Sequence, residues 1–309
     1  MIYHDYKFRV PIEKQVRVIT NTDAKNEADD QFCIVQTLLS PKLDNVGMIA
    51  AHYGTKHEDA MERSYRELET IFDKMGFSKE NMLYHGAPHA LKSTKEPIDS
   101  EGARLIIREA MKDDPRPLYI TFLGPLTDMA CALLIEPRIA NRCTVIWIGG
   151  GPYPHGGIEF NQDNDINAVN VVFRSKVPVW QVPKNVYEMM SVSLAELEYR
   201  VHPCGEIGAY LCDQLDEHAQ EESPRKSDFR TGETWVLGDN PALGLLLYEH
   251  RFEFDWVNAP LVTRDGTYVP DSRNRPIRVY RRIDSRLILE DMYAKLALFH
   301  QRHGDKFKG

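Results

Sequence analysis

The residues best suited to chemistry lie in one acidic segment near the start of the chain. It reads Asn-Thr-Asp-Ala-Lys-Asn-Glu-Ala-Asp-Asp over residues 21–30, so that Asp23, Asp29 and Asp30 fall where a β-branched strand gives way to a helical pattern. Hard divalent cations prefer oxygen ligands, and Ca²⁺ accepts carboxylate, carbonyl and water oxygens together. The segment therefore predicts a metal site. Adjacent aspartates are also typical of a helix N-terminus, where they merely complement the helix dipole.

Three later segments carry glycine and polar residues directly after predicted strands or before a predicted helix. They read FLGPLTD at 122–128, GGG at 149–151 with IEFN at 158–161, and GDNPA at 238–242. The Gly-Pro turn in the first is predicted to leave the Leu123 carbonyl without a helix or ladder partner. Taken singly, each segment is an ordinary turn or N-cap signal. None of them identifies a site alone.

In this order, the four segments resemble the inosine-uridine nucleoside hydrolase family. The family motifs are DxDxxxDD, GPLTN, GG(G), EFN followed by DPEAA, and an Asp before a late helix. Here they read NTDAKNEADD, GPLTD, GGG, EFNQDND and GDNPA, over most of the chain. The resemblance implies an enzyme that hydrolyses the N-glycosidic bond between ribose and base with a water activated by bound Ca²⁺.

The resemblance also implies roles for individual residues. The implied metal ligands are Asp23, Asp30, Asp239 and the backbone carbonyl of Leu123. The implied ribose ligands are Asp29, Glu159 and Asn161. Asp23 would in addition take the proton from the attacking water. This division is chemically consistent, because a cation lowers the pKa of its water and carboxylates stabilise an oxocarbenium-like transition state.

The departures from the family pattern fall around the same motifs, and they suggest a divergent branch. The first loop is two residues longer before Asp29, Asn21 replaces the usual Asp, and Thr55 stands where the family usually has Asn. The loop from 151 to 159 is shorter and lacks the family's ribose-binding Asn. Gly238 stands where members specialised for inosine and uridine have a His that protonates the base. Candidate replacements for that acid are His52, Tyr53, His155, Tyr187 and Trp235.

The elements that must position these residues alternate between strand and helix. Predicted strands cover Val16–Thr22, 46–52, 118–123, Thr144–Ile148 and 177–182, and predicted helices begin near 30, 61, 126, 165 and 283. Such alternation predicts a single α/β domain over 1–309, with a central, mostly parallel sheet flanked by helices. A helical, loop-rich segment is expected at about 193–237, with the polar stretch 221–232 as a loop over the site. Ligands of such sheets bind beyond the carboxyl ends of the strands.

The composition of the chain disfavours some classes of binding partner. The 309 residues carry a net charge of −8, which disfavours binding to a nucleic-acid backbone. Five cysteines without a CxxC pair predict neither a disulfide framework nor a thiolate zinc site. The N-terminus has no apolar run typical of a signal peptide or membrane span. We therefore expect a cytoplasmic protein without membrane or nucleic-acid partners, and the family resemblance adds a homo-oligomer acting in purine or pyrimidine salvage.

Three other functions are compatible with parts of the pattern. The first is hydrolysis of another glycosidic or ribosyl substrate, since the aspartates specify metal and sugar while the base side has changed. The second is a metal- and sugar-binding protein with weak catalysis. The third is a magnesium-dependent phosphoryl-transfer enzyme, which the absence of a phosphate-binding lysine motif disfavours and which leaves Glu159 and Asn161 without a role.

Overall fold

One central sheet organises the computed structural model, which describes residues 1–221, 232–248 and 252–304. The strands are β1 Val16–Thr22, β2 Leu43–Ala50, β3 Leu83–His85, β4 Leu118–Phe122, β5 Thr144–Ile148, β6 Val179–Val182, β7 Ser191–Ser193, β8 Thr234–Val236, β9 Glu253–Asn258, β10 Leu261–Val262, β11 Tyr268–Val269 and β12 Pro276–Arg282. The sheet has eight strands in the order β3-β2-β1-β4-β5-β6-β12-β9. All neighbours in it are parallel except β12 and β9. The predicted mostly parallel α/β fold is confirmed.

Helices cover both faces of the sheet. They are α1 Asp30–Leu38, α2 Ala60–Met75, α3 Glu101–Met111, α4 Thr127–Ile135, α5 Phe160–Asn164, α6 Ile166–Arg174, α7 Lys184–Tyr187, α8 Leu194–Arg200, α9 Gly205–Glu221, α10 Asn240–Leu247 and α11 Ser285–His303. One buried apolar cluster joins α1, α2, α10 and α11 to the sheet, and a second joins α3, α4 and α6. Two-sided burial explains why all seven residues of β1 are buried.

The second strand begins three residues earlier than its sequence predicted. It was expected at 46–52, but β2 pairs with β1 from Leu43 onwards. The polar residue Asp44 is tolerated there because the Met1 ammonium and the Arg116 guanidinium bind its carboxylate, at 3.0 and 2.9 Å. His52 follows the strand rather than ending it. Tertiary ion pairs therefore override the local propensity.

The last two strands of the sheet were missed because their sequences are rich in charge. In β12, the guanidinium of Arg278 lies 4.5 Å from the ring centroid of Trp180 and 4.7 Å from that of Phe254. The planar cation packs against aromatic faces and so substitutes for an apolar side chain. The stretch 222–231, which contains most of the predicted loop over the site, lies outside the described residues.

Within residues 1–221, 232–248 and 252–304, no helix combines the length and the apolar composition needed to span a bilayer.

Two of the departures from the family motifs touch each other at the carboxyl end of β1. The Asn21 Nδ2 donates to Asp128 Oδ2 at 2.9 Å, while Asp128 Oδ1 accepts from Ser100 Oγ and the Ala87 backbone N–H. Asn21 and Asp128 are both buried. The family pattern has Asp at the position of Asn21 and Asn at the position of Asp128. This chain therefore has the same carboxylate and amide with their positions exchanged.

This exchange predicts a compensating pair of substitutions. Asn21→Asp alone places two buried carboxylates in contact and should lower the free energy of unfolding by about 2–4 kcal/mol, because an unpaired buried charge is costly. Adding Asp128→Asn restores a hydrogen-bonded pair of one amide and one carboxylate. It should therefore recover most of the lost free energy of unfolding. Urea unfolding followed by circular dichroism measures the cycle. Additive losses in the double variant would contradict the exchange.

Candidate active site

A pocket of about 360 Å³, partly open to solvent, lies at the carboxyl edge of the sheet. Its lining residues come from the loop after β1 and the start of α1, from the ends of β4 and β5, from the start of α5, from α7 and from the residues before α10. They are Asp23, Asn26, Glu27, Asp29, Asp30, Leu123, Ile148, Glu159, Phe160, Asn161, Tyr187, Gly238 and Asp239. All seven residues that the sequence suggested for the site are among them. The topology explains their meeting, since β1, β4 and β5 are parallel neighbours and end at the same edge.

Three carboxylates approach each other most closely. One oxygen each from Asp29, Asp30 and Asp239 lies within 4.8 Å of the other two. Asp29 occupies the N-cap position of α1 and Asp239 that of α10, and Thr22 Oγ1 donates to Asp30 Oδ1. The spacing suits a divalent cation bound by oxygen. This trio of carboxylates includes Asp29, which the family resemblance implied as a sugar ligand.

Asp23 lies beside this trio and differs from it in its hydrogen bonding. Its Oδ2 is buried without a hydrogen-bond partner among the described residues. A Cβ at Gly124 would lie 2.6 Å from Asp23 Oδ1, so only glycine leaves room for the carboxylate at this turn. A buried, unpaired carboxylate oxygen is costly in isolation and fits a position that faces a cation.

Burial and mutual repulsion shift the protonation of these acids. Burial and the neighbouring Asp30 charge together raise the pKa of Asp29 to about 7, and burial raises that of Asp30 to about 6. Burial together with neighbouring carboxylates raises the pKa of Asp23 and Asp239 well above the ordinary range. Like charges in a low-dielectric site disfavour ionisation. The cluster is therefore electrostatically incomplete without positive charge.

Leu123 lines the pocket, and its carbonyl, which the Gly-Pro turn was predicted to leave without a helix or ladder partner, accepts a hydrogen bond from a side chain. Asn161 Nδ2 donates to it at 2.6 Å and to the Ile148 carbonyl at 2.9 Å. A carbonyl oxygen has two lone pairs, so Leu123 retains one acceptor site. Because both bonds use the Asn161 NH₂ group, its Oδ1 is oriented as an acceptor.

Glu159 is the N-cap residue of α5 and accepts four hydrogen bonds. Its Oε2 accepts from the N–H groups of Gly150 and Gln162 at 2.7 and 2.9 Å. Its Oε1 accepts from the Asn161 N–H at 3.2 Å and from the Tyr187 hydroxyl at 3.0 Å. Burial raises the pKa of Glu159, and these four donors oppose the shift. The carboxylate is thus held rigidly at the pocket wall.

Four of the five candidates for a proton donor to the base are not lining residues of this pocket. His52 is buried, its Nε2 is 2.9 Å from Thr127 Oγ1, and its Nδ1 accepts from the Gly54 N–H. Burial lowers the pKa of His52 to about 4, so it is neutral and structurally committed. Tyr187 is the candidate that does line the pocket.

Sequence reasoning assigned no role to Asn26 or Glu27, yet both line the pocket. They belong to the first loop, which is two residues longer than the family motif, and this length difference was the available signal. Burial raises the pKa of Glu27 well above its ordinary value, and the charges of Asp29 and Asp30 add to the effect, while Lys56 opposes it. The longer loop therefore adds a carboxylate to an already acidic pocket.

Comparison with known proteins supports the resemblance to the nucleoside hydrolase family. The model of the family "Inosine-uridine preferring nucleoside hydrolase" matches residues 18–290. A pyrimidine-specific ribonucleoside hydrolase RihA of Salmonella arizonae is 26% identical over 219 residues, covering 63% of this chain and 70% of the relative. A probable uridine nucleosidase 2 of Arabidopsis thaliana is 26% identical over 126 residues, and that match spans 39% of each chain.

The fold is shared with solved structures. A purine-preferring ribonucleoside hydrolase from Gardnerella vaginalis superposes with a TM-score of 0.75 at 19% identity, covering 93% of this chain and 99% of that one. Fold, acidic pocket and family model together define the class as an N-ribosyl hydrolase. The chain belongs to the inosine-uridine preferring nucleoside hydrolase family. Its low identity to these relatives agrees with a divergent branch.

The acidic cluster predicts a calcium response that depends on pH. Protons compete with a cation for carboxylates whose pKa is raised to about 6 and about 7. Calcium should therefore raise the melting temperature of chelator-treated protein more at about pH 8 than at about pH 5.5. At ~100 times the dissociation constant, the gain should be about 2.7 kcal/mol. Calorimetric scans with and without calcium measure it.

Two variants control this experiment. Asp239→Asn removes one member of the buried trio, so it should stabilise the calcium-free protein and diminish its calcium response. Glu58→Gln changes an exposed carboxylate outside the pocket and should leave both quantities unchanged. A calcium response of equal size in Asp239→Asn would exclude the trio as the binding site.

Proposed function

We propose that this protein hydrolyses the N-glycosidic bond of a ribonucleoside or a related N-riboside, giving free base and sugar, with Ca²⁺ as its cofactor. The observation that carries the proposal is the convergence of six acidic side chains on one pocket, with one buried oxygen of Asp23 lacking a partner among the described residues. Such an arrangement suits a cation, a polarised water and a developing positive charge on a sugar ring.

The cation would be held by Asp23, Asp30, Asp239 and the carbonyl of Leu123, a set made only of oxygen. This donor set fits calcium, which tolerates irregular geometry and mixed carboxylate and carbonyl ligands. When bound, the cation supplies positive charge and lowers the pKa of water. Asp29 is close enough to Asp30 and Asp239 to help neutralise it.

Asp23 is proposed as the general base. Its unpaired Oδ2 is available to take the proton of the attacking water, and the close contact with Gly124 fixes the direction of the carboxylate. As the bond between the sugar and the base nitrogen breaks, the electron pair goes to the nitrogen and the water oxygen bonds to the sugar carbon. The surrounding carboxylates stabilise the positive charge that develops on the ring.

Asp29, Glu159 and Asn161 are proposed to bind the ribose hydroxyls. The orientation of the Asn161 amide supports this role, because its Oδ1 can accept from a hydroxyl while its NH₂ group is held by two carbonyls. Glu159 is immobilised by its four donors, so little side-chain entropy is lost on binding. Hydroxyl groups that donate to ionised acceptors form strong hydrogen bonds.

The proposal extends to the setting of the reaction. We propose a cytoplasmic homo-oligomer that acts in purine or pyrimidine salvage on a small-molecule nucleoside. All five cysteines are free thiols, which supports a reducing compartment. Light scattering measures the oligomeric state. The rate of base release from ribosides that differ in base or in sugar tests the substrate class.

The proposal competes with hydrolysis of a different ribosyl substrate. Gly238 gives this pocket no side chain at the position where inosine- and uridine-specific members have a His, so the sugar half is better defined than the base half. Turnover of O-ribosides without turnover of any N-riboside would favour the rival. Binding of ribose and calcium without turnover would favour a binding protein.

The general base provides the first test of the mechanism. Asp23→Asn retains the side-chain volume but cannot accept the proton, so the kcat on the best N-riboside should fall ~10²–10⁴-fold. Asp163→Asn changes an exposed acid on α5 outside the pocket and should leave kcat unchanged. Steady-state release of base measures both. Unchanged turnover in Asp23→Asn would remove this residue from the reaction.

The sugar ligands provide a second test. If Asp29, Glu159 and Asn161 grip the ribose hydroxyls, a substrate without one hydroxyl leaves buried polar groups unpaired. The kcat/KM of a 2′-deoxyriboside should be ~10²-fold or more below that of the matching riboside. Equal values for the two substrates would contradict the assignment.

A further inference from the structure

Tyr187 joins the two halves of the pocket. It ends the short helix α7 directly after β6, is 5% exposed, and lines the pocket together with Gly238. One end of its side chain contacts Glu159 on the sugar side, and its ring contacts the backbone that precedes Asp239. No family motif quoted above includes this residue.

The hydroxyl of Tyr187 fixes Glu159. It donates to Glu159 Oε1 at 3.0 Å, whereas the other three hydrogen bonds to that carboxylate come from the backbone of Gly150, Asn161 and Gln162. Burial and the charge of Glu159 raise the pKa of the phenol, so the hydroxyl remains a donor. A hydrogen bond to an ionised carboxylate is stronger than a neutral one.

The ring of Tyr187 fills the space beside Gly238. A Cβ at Gly238 would lie 3.1 Å from Tyr187 Cδ2 and 3.3 Å from Asp29 Oδ2. The φ of Gly238 is outside the left-handed region, so the backbone itself would accept another residue. Space rather than conformation therefore disfavours a larger residue here, because the Tyr187 ring and the Asp29 carboxylate would both have to shift.

We propose that Tyr187 is a positioning and specificity-determining residue, which holds Glu159 toward the sugar and, together with Asp29, limits the space for a side chain at position 238. The inference rests on the proposed function. The base nitrogen then receives the electron pair of the broken bond without a proton from residue 238, and solvent supplies the proton afterwards. The substrate class is accordingly N-ribosides whose bases leave readily.

The hydroxyl is tested with Tyr187→Phe, which keeps the ring. Binding of a cationic iminoribitol, a ribose mimic without a base, should weaken about 10-fold by calorimetry, because Glu159 loses a directing donor. KM for N-ribosides should rise by a similar factor while kcat changes less. The matched control is Tyr153→Phe, which removes a hydroxyl that donates to Gln181 at 2.9 Å outside the pocket. Equal effects of both variants, or none in Tyr187→Phe, would overturn the positioning role.

The role of the ring is tested by changing the side-chain size at positions 187 and 238. Gly238→Ala should lower kcat/KM about 5–10-fold, because the added methyl presses on the tyrosine ring. In a Tyr187→Ala background the same change should cost much less, because only the Asp29 carboxylate still crowds the methyl group. A wild-type protein that binds the mimic but hydrolyses no riboside would refute the proposed function, while the binding measurements still decide the role of Tyr187. Additive effects of Gly238→Ala and Tyr187→Ala, or no binding of the mimic, would refute the inference.

Discussion

Crowding several carboxylates into a buried pocket is unfavourable, because each acid loses its hydration and repels its neighbours. In this protein the cost is concentrated at Asp23, Asp29, Asp30 and Asp239, whose pKa values are all raised. The surrounding structure maintains this arrangement. Asp30 and Asp29 are fixed by the start of α1 and Asp239 by the start of α10, and both helices pack in the same apolar cluster. The stability of the fold therefore offsets the repulsion that makes the pocket suitable for a cation.

The sheet determines which loops can share this task. The central strands β1, β4 and β5 are parallel, so their carboxyl ends deliver Asp23, Leu123 and the glycine-rich turn before Glu159 to one edge. Side chains brought from four separate segments can be held closely only if their supports are rigid. Complete burial of β1 provides such a support. The same logic explains Gly124, where any side chain would displace the Asp23 carboxylate.

Much of this could be predicted from the sequence, because the core strands and the motif order carry strong local signals. The strand Val16–Thr22 and the helix ending at Gly76 follow directly from β-branching, apolar periodicity and a left-handed glycine cap. The charged strands β12 and β9 at one end of the sheet could not be predicted, since Arg278 of β12 is stabilised by aromatic rings that are distant in sequence. The contribution of Glu27 to the pocket was also hidden, because a longer loop does not reveal which way its residues point.

The departures from the family motifs have a different meaning in three dimensions than in sequence. Taken singly, Asn21 and Asp128 are each a departure from the family pattern, but in the fold they are hydrogen-bonded to each other at 2.9 Å. Gly238 likewise suggests a missing side chain, whereas in the fold the Tyr187 ring and the Asp29 carboxylate crowd the position where a Cβ would lie. In both cases the residue has to be interpreted together with the buried side chain that it meets, because a buried polar group needs a partner and a buried void is costly. The departures therefore change which groups meet at this edge of the sheet, and they do not by themselves indicate that the site is lost.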